Sequence, residues 1–316
     1  MIKLKTFGSF TVGNGLTSVQ EGAWRSEKLE KLFVYLAMNR NRGVCIEDIS
    51  EAIWQGEEET DNPVGALKNL AYRLRKALRD ASFGEECIVS VRGGLYKWND
   101  DVEVTIDVEE FDRYINEAEM AFCRSKETAI ESYEKAIALY HGDFLPLRTD
   151  THWFMTLNAF YHSRYVNTVK ALAKLYIDTG CYEKLEQLCT RAIVYERSDE
   201  QIYSYLIVAR MRTKKVQMAF DTYETAKAIM DKDLGVRKTV MLNKVYEELL
   251  SVTKGASSYN IDEVKDDISE ESMNGVFMCG YPVFKEIYQL EVRKSARSTI
   301  PESLVLVTVV PMYSSQ

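Results

Sequence analysis

Apolar and polar positions along this chain repeat with two periods, and the change between them divides it. Over 2–7 they alternate, as in a half-buried strand, and Gly8, Gly13, Asn14 and Gly15 then punctuate short strand-and-turn segments. The period next lengthens to that of a helix. Leu29, Leu32, Phe33, Leu36 and Ala37 line one face of a helix that opens after Trp24-Arg25-Ser26, with Ser26 as its cap. A shorter helix over 46–54 turns Ile46, Ile49, Ile53 and Trp54 inward. The acidic loop 57–61 leads into a third helix over 62–79, placing negative charge near its positive N-terminus. Asn62 is the expected cap, and Pro63 takes the first helical position, where its missing N–H costs nothing. Leu67, Leu70, Ala71, Leu74, Ala77 and Leu78 fall on one stripe that must face a core. Two strands, 87–91 and 95–98, then flank a tight turn at Arg92-Gly93-Gly94.

From 105 to about 252 helix follows helix, with Asp107 the expected cap of the first. Ala129, Ile130, Tyr133, Ala136, Ile137 and Tyr140 mark a helix that stops at His141-Gly142-Asp143-Phe144-Leu145-Pro146, and a long one follows over 153–178. Gly180-Cys181-Tyr182 restarts the pattern, Lys214-Lys215-Val216 restarts it about 34 residues later, and Ala192 and Ala226 recur at the same offset. That period predicts tetratricopeptide-like helix pairs, each stacking on the next because none buries its own face; a plain helical bundle is the alternative. The many tyrosines here (Tyr161, Tyr165, Tyr176, Tyr203 and Tyr223 among them) read as packing rather than a ligand cage. Beyond it, 254–274 is an acidic linker, and 275–316 reads as strand, helix, strand. A unit so small cannot bury both its faces: it docks on the rest, pairs with another copy through an edge at 304–310, or opens a longer domain. The expected fold is therefore multidomain and mainly α: an α+β module over 1–104, an α-helical solenoid over 105–253, the linker, and the small β-α-β segment over 275–316.

Charge sharpens the picture at one place. The chain has 316 residues and a formal net charge of -8, so any attraction to a polyanion must come from a local patch. No carboxylate lies within 63–79. Opposite the apolar stripe the third helix collects Gly65, Lys68, Asn69, Tyr72, Arg73, Lys76 and Arg79, with Arg75 at its edge. The bland reading is a solvated basic face. The alternative is a helix for a DNA major groove, its cations on phosphates and its Asn or Arg on base edges. The order of strands, three helices and hairpin favours the second, because it is that of a winged helix-turn-helix, with Arg92 at the wing's tip and Lys97 on its return. Residues 1–104 carry 14 basic and 16 acidic side chains, so the expected single-copy affinity is modest, salt-sensitive and in need of paired sites.

Other chemistry is missing. Six cysteines without a CxxC pair suit a reducing cytoplasm, the first residues do not read as a signal peptide, and the apolar run 304–311 is too short to span a bilayer. No phosphate-binding glycine loop, GxSxG or HExxH occurs. His141, His152 and His162 have no metal-ligand spacing and are expected at the surface or in caps. Neither enzyme activity nor a cofactor or metal is expected.

Trp24, Arg25, Ser26 and Lys28, followed by Asn62, Ala66, Leu67, Leu74, Arg75, Lys76 and Leu78, resemble the OmpR/PhoB-type winged helix, and more closely its variant in bacterial SARP-type regulators. The wing departs from that family, with Leu95-Tyr96-Lys97 for its usual Gly-Tyr-Arg. Asp107 and Phe111, the run Ala138-Leu139-Tyr140 and Gly142-Asp143-Phe144-Leu145, then Trp153 and Leu234-Gly235-Val236 resemble the bacterial transcriptional activation domain that follows it. Lys214-Lys215 replaces a Gly-Arg turn, and a Pro after Leu-Gly-Val is absent. The resemblance implies an activator that binds tandem double-stranded DNA sites as a homodimer and contacts RNA polymerase, with no membrane association. The expected DNA contacts are Lys68, Asn69, Tyr72, Arg73, Lys76 and Arg79, then Arg92 and Lys97 on the wing, and Arg25 near the first helix. No phosphoacceptor receiver domain is expected ahead of the module. The stretch 284–297 weakly resembles the opening of degenerate diguanylate-cyclase-like domains without their glycine-acid signature, so no cyclase activity is expected. Two rivals stay open: a protein-binding adaptor built on the repeats, and a nucleotide-sensing regulator with its ligand site in the tail.

Overall fold

A computed structural model describes residues 1–54, 62–83, 88–91, 94–148, 150–233, 240–256, 287–288 and 290–291. Met1–Ala256 forms one compact unit and Ser257–Gln316 a second. In the second unit the four described residues are helical, inside the helix expected over 282–297. The acidic loop 57–61, Arg92, Leu234-Gly235-Val236 and the expected terminal strands lie outside the described residues.

The alternation over the first residues produces β1 (Ile2–Lys5), whose Ile2 and Leu4 are buried and whose lysines face out. With β2 (Thr11–Gly13), β3 (Ser18–Gln20) and β6 (Val104–Ile106) it makes a four-stranded sheet in the order β3-β2-β1-β6. The β1–β6 pair is parallel, Leu4 opposite Ile106, so the first strand of the chain is paired a hundred residues downstream. Between them run α1 (Glu27–Met38), α2 (Ile46–Ile53), α3 (Pro63–Asp80) and a hairpin of β4 (Ile88–Val91) and β5 (Leu95–Trp98). Phe33 of α1 meets Phe10, Trp24 and Trp98 edge to face, which ties sheet, helix and hairpin together. Val44 and Tyr96 exchange backbone hydrogen bonds of 2.8 and 2.9 Å, fixing the hairpin to the α1–α2 connection.

β6 passes directly into α4 (Asp107–Ala121), followed by α5 (Lys126–Leu139), α6 (His152–Thr179), α7 (Tyr182–Tyr195), α8 (Glu200–Arg212), α9 (Val216–Asp233) and α10 (Val240–Ala256). α10 thus takes in the first three residues expected in the linker. The apolar core runs without a break from Ile2 to Ala209, and a second cluster joins α8, α9 and α10 through Ile207, Ala219, Tyr223 and Leu242. Phe7, just past β1, carries that continuity: its ring lies 5.2 Å from Phe111, 5.0 Å from Tyr140 and 5.7 Å from Tyr161.

The 34-residue period appears in the backbone itself. At the end of α6 the N–H of Gly180 bonds the Ile177 carbonyl and that of Cys181 bonds Tyr176. At the end of α8 Lys214 bonds Met211 and Lys215 bonds Arg210, the same closing turn displaced by one repeat. Ala192 and Ala226 are both fully buried, where a larger side chain would part the stacked helices.

Candidate nucleic-acid interface

The third helix forms as its sequence dictates. The Asn62 side chain accepts the Gly65 N–H at 2.8 Å, capping α3, and Pro63 begins it. A Cβ at Gly65 would stand 2.8 Å from the Asn62 amide nitrogen, so a larger residue there would have to turn the capping side chain. Leu67, Leu70, Ala71, Leu74 and Leu78 are buried, while Ala77 is only half-buried. Lys68, Asn69, Tyr72, Arg73, Lys76 and Arg79 are all exposed on the opposite side, Tyr72 by 66%. Among the described residues, Lys68, Arg73 and Lys76 enter no ion pair. Several cations elsewhere in this unit are committed instead: Arg40 to Glu109, Arg164 to Asp112, Lys170 to Asp199, Lys215 to Glu186. The face therefore offers ammonium and guanidinium donors with an amide and a phenol between them, which matches phosphate oxygens and base edges.

The flanking candidates stand differently. Lys97 pairs with Asp100 at 2.5 Å, so part of its charge is already neutralised. Arg92 lies outside the described residues. Gly94, at φ +81, allows the hairpin its turn. Arg25 is exposed in the bend before α1, in the left-handed region at φ 50. Ser26 occupies the cap position of α1, but its hydroxyl makes no cap hydrogen bond, a departure from expectation.

Polar contacts that spacing could not announce hold this module against the helical scaffold. Arg148 reaches Glu30 of α1 at 2.5 Å, with Glu21 at 3.3 Å and Glu27 at 3.5 Å. The second oxygen of Glu30 accepts the Gly22 N–H at 2.8 Å, in the bend that carries Arg25. Beside it, buried Lys31 holds Asp150. Asp107, expected as a cap, is instead the first residue of α4 and almost wholly buried. Its carboxylate accepts from the Thr6 N–H and hydroxyl, the Phe7 N–H and its own helix's Val108 N–H, all within 2.9 Å. Burial pushes its carboxyl up, and these bonds oppose that rise.

His162 corrects the expectation of a surface or cap residue. It lies within α6, Nδ1 2.8 Å from Asp143 and Nε2 3.1 Å from Glu196. Asp143 also accepts the Tyr140 hydroxyl at 2.5 Å, and its backbone carbonyl takes the Gly8 N–H at 2.9 Å. Its bond to Asp143, with Glu196 adding to it against some burial, raises the imidazole to about 9, so it is a cation at neutral pH.

Residues 106–250 match the family of the bacterial transcriptional activator domain. The transcriptional regulator RedD of Streptomyces coelicolor is 24% identical over 238 residues, covering 74% of this chain and 67% of RedD. Among solved structures, Mycobacterium tuberculosis EmbR in complex with a low affinity phosphopeptide aligns over 86% of this chain and 72% of EmbR. Identity there is 19% and the TM-score 0.61, a likeness of fold that extends well beyond 106–250. The matched domain and the regulator relative support a transcriptional regulator. No described helix is long and apolar enough to cross a membrane.

Proposed function

We propose that this chain is a sequence-specific, DNA-binding activator of bacterial transcription, working in the cytoplasm and without enzymatic activity. The observation that carries the reading is the exposed face of α3, whose Lys68, Arg73 and Lys76 have no acidic partner among the described residues although the whole chain is acidic. α3 is the recognition helix of a winged helix: Lys68, Asn69, Tyr72, Arg73, Lys76 and Arg79 enter the major groove, while Arg92 and Lys97 meet the neighbouring backbone from the wing and Arg25 holds a phosphate beside α1. The module boundary falls at 104/105, the helical scaffold spans 105–253, and dimer formation on tandem sites and contact with RNA polymerase complete the activity. The activator-domain match and the RedD likeness support the regulatory part of this reading.

Mapping bound sites genome-wide, followed by gel shifts on the recovered sequences, tests it. Footprints on paired repeats are the expected result. Binding that ignores sequence, or none at any recovered site, overturns it.

A further inference from the structure

Among the described DNA-contacting candidates, Arg25 alone has a strained backbone: φ 50 is the left-handed region that side chains avoid. Such a conformation persists only where its surroundings impose it, and it is found where a group has to be held in one place. Two sets of contacts impose it here. Within the bend, the Ala23 N–H bonds the Gln20 carbonyl at 3.1 Å and the Arg25 N–H bonds the Gly22 carbonyl at 2.9 Å. The neighbouring Trp24 ring is wedged between Phe10 and Phe33, 5.4 Å from each.

The second set comes from the helical scaffold. Arg148 grips the segment on both sides of Arg25: Glu21 before it at 3.3 Å, then Glu27 at 3.5 Å and Glu30 at 2.5 Å after it. Glu30 passes that hold on, since its other oxygen accepts the Gly22 N–H at 2.8 Å. Arg148 and Glu30 are almost wholly buried, so salt screens this contact far less than it would an exposed pair. The Arg25 side chain, between these ties, is exposed and has no ion-pair partner among the described residues. A donor whose backbone is already fixed loses less freedom when it meets an anion.

We propose, on the DNA-binding reading above, that Arg148 is a positioning residue for DNA binding. Through Glu30 and Glu21 it holds the bend in the shape that presents Arg25 to a phosphate, and the helical scaffold thereby sets the affinity of the N-terminal module. Arg148 also neutralises carboxylates that would repel that phosphate, and the two effects separate in a chain lacking Arg25.

Gel shifts of the full chain on recovered sites, at several salt concentrations, test the proposal. Arg25→Ala should weaken binding about tenfold on all sequences alike and lower the slope of log affinity against log salt by about 1. Arg148→Met with Glu30→Leu, which fills the same space without the hold on Gly22, should lose a comparable factor. Adding Arg25→Ala to that pair should lose no more. Should the pair melt well below the wild type, Arg148→Lys, which keeps the charge without the planar fork, decides in its place. Wild-type affinity in the Arg148 variant, an Arg25→Ala without effect, or losses that add when the variants are combined overturns it. Sites bound by the wild type and indifferent to these substitutions sink this inference alone; a wild type that binds no site is failure of the proposed function, and of this inference with it.

Discussion

Arg148 and Glu30 lie 118 residues apart in the chain and 2.5 Å apart in space, both almost wholly buried. The pair fastens the loop before α6 to the first turn of α1, and through Glu30 to the Gly22 N–H. Removing one charge strands the other where water cannot replace it, so Arg148→Ala should cost about 3–5 kcal/mol of stability. Replacing both, by Arg148→Met with Glu30→Leu, should recover most of that loss. Urea unfolding of the wild type, Arg148→Ala and the double variant reads this recovery; a double variant no more stable than Arg148→Ala would show that the pair is not what holds the two segments.

His162 makes stability depend on pH in a stated direction. Its folded value, about 9, lies above the ordinary 6.5. The folded state therefore holds the proton more tightly, and this stabilisation is full below about 6.5 and fades as pH rises through about 9. A shift of this size in a side chain 27% exposed corresponds to about 3 kcal/mol at most, less after screening by solvent. Asp143, held low chiefly by His162, gives the opposite limb, lost as pH falls through its depressed value. His162→Gln should flatten the difference in stability between pH 7 and pH 10, read as wild type minus variant in thermal or urea melts. Parallel profiles would mean that the imidazole is not charged in the fold.

What could be read from residue order was local. Asn62, Pro63 and the apolar stripe of α3 gave its start and its inward face, because cap and periodicity are written within one helix. The 34-residue offset gave the repeat, because stacked helix pairs need small residues at matching places. Arg148, Lys31 and His162 were not legible, since each is defined by a partner 19 to 119 residues away, beyond its own helix or loop. Asp107 was half-legible: an acid at a helix start was expected, but its pull on Thr6 and Phe7 depends on the parallel pairing of β1 with β6.

Lys214 stands where the preceding repeat has Gly180, and adopts the same left-handed backbone, φ 61 against φ 72. A side chain in that region costs about 1–2 kcal/mol that glycine escapes, and glycine's greater freedom when unfolded returns part of it. Lys214→Gly should therefore raise stability by about 0.5–1 kcal/mol, while Gly180→Ala should lower it by a similar or larger amount. Both are read from melts of the intact chain. A destabilised Lys214→Gly would mean that the lysine side chain has a partner worth more than its strain.

The basic face of α3 gives the sharpest prediction, because its structural and binding roles separate. Arg73 and Lys76 are exposed and without an ion-pair partner among the described residues, so alanine at either should leave stability within about 0.5 kcal/mol. On DNA the same substitutions should cost about 1–3 kcal/mol and relax preference at one base pair if the side chain reads a base. If it holds a phosphate, all sequences should weaken alike and the slope of log affinity against log salt should fall by about 1. Lys97→Ala should lose less, since Asp100 already takes part of its charge. Quantitative gel shifts at several salt concentrations distinguish these outcomes. An affinity and footprint unchanged by both α3 substitutions, or binding indifferent to salt, would assign the recognition of DNA to another surface and leave the basic face as mere solvation.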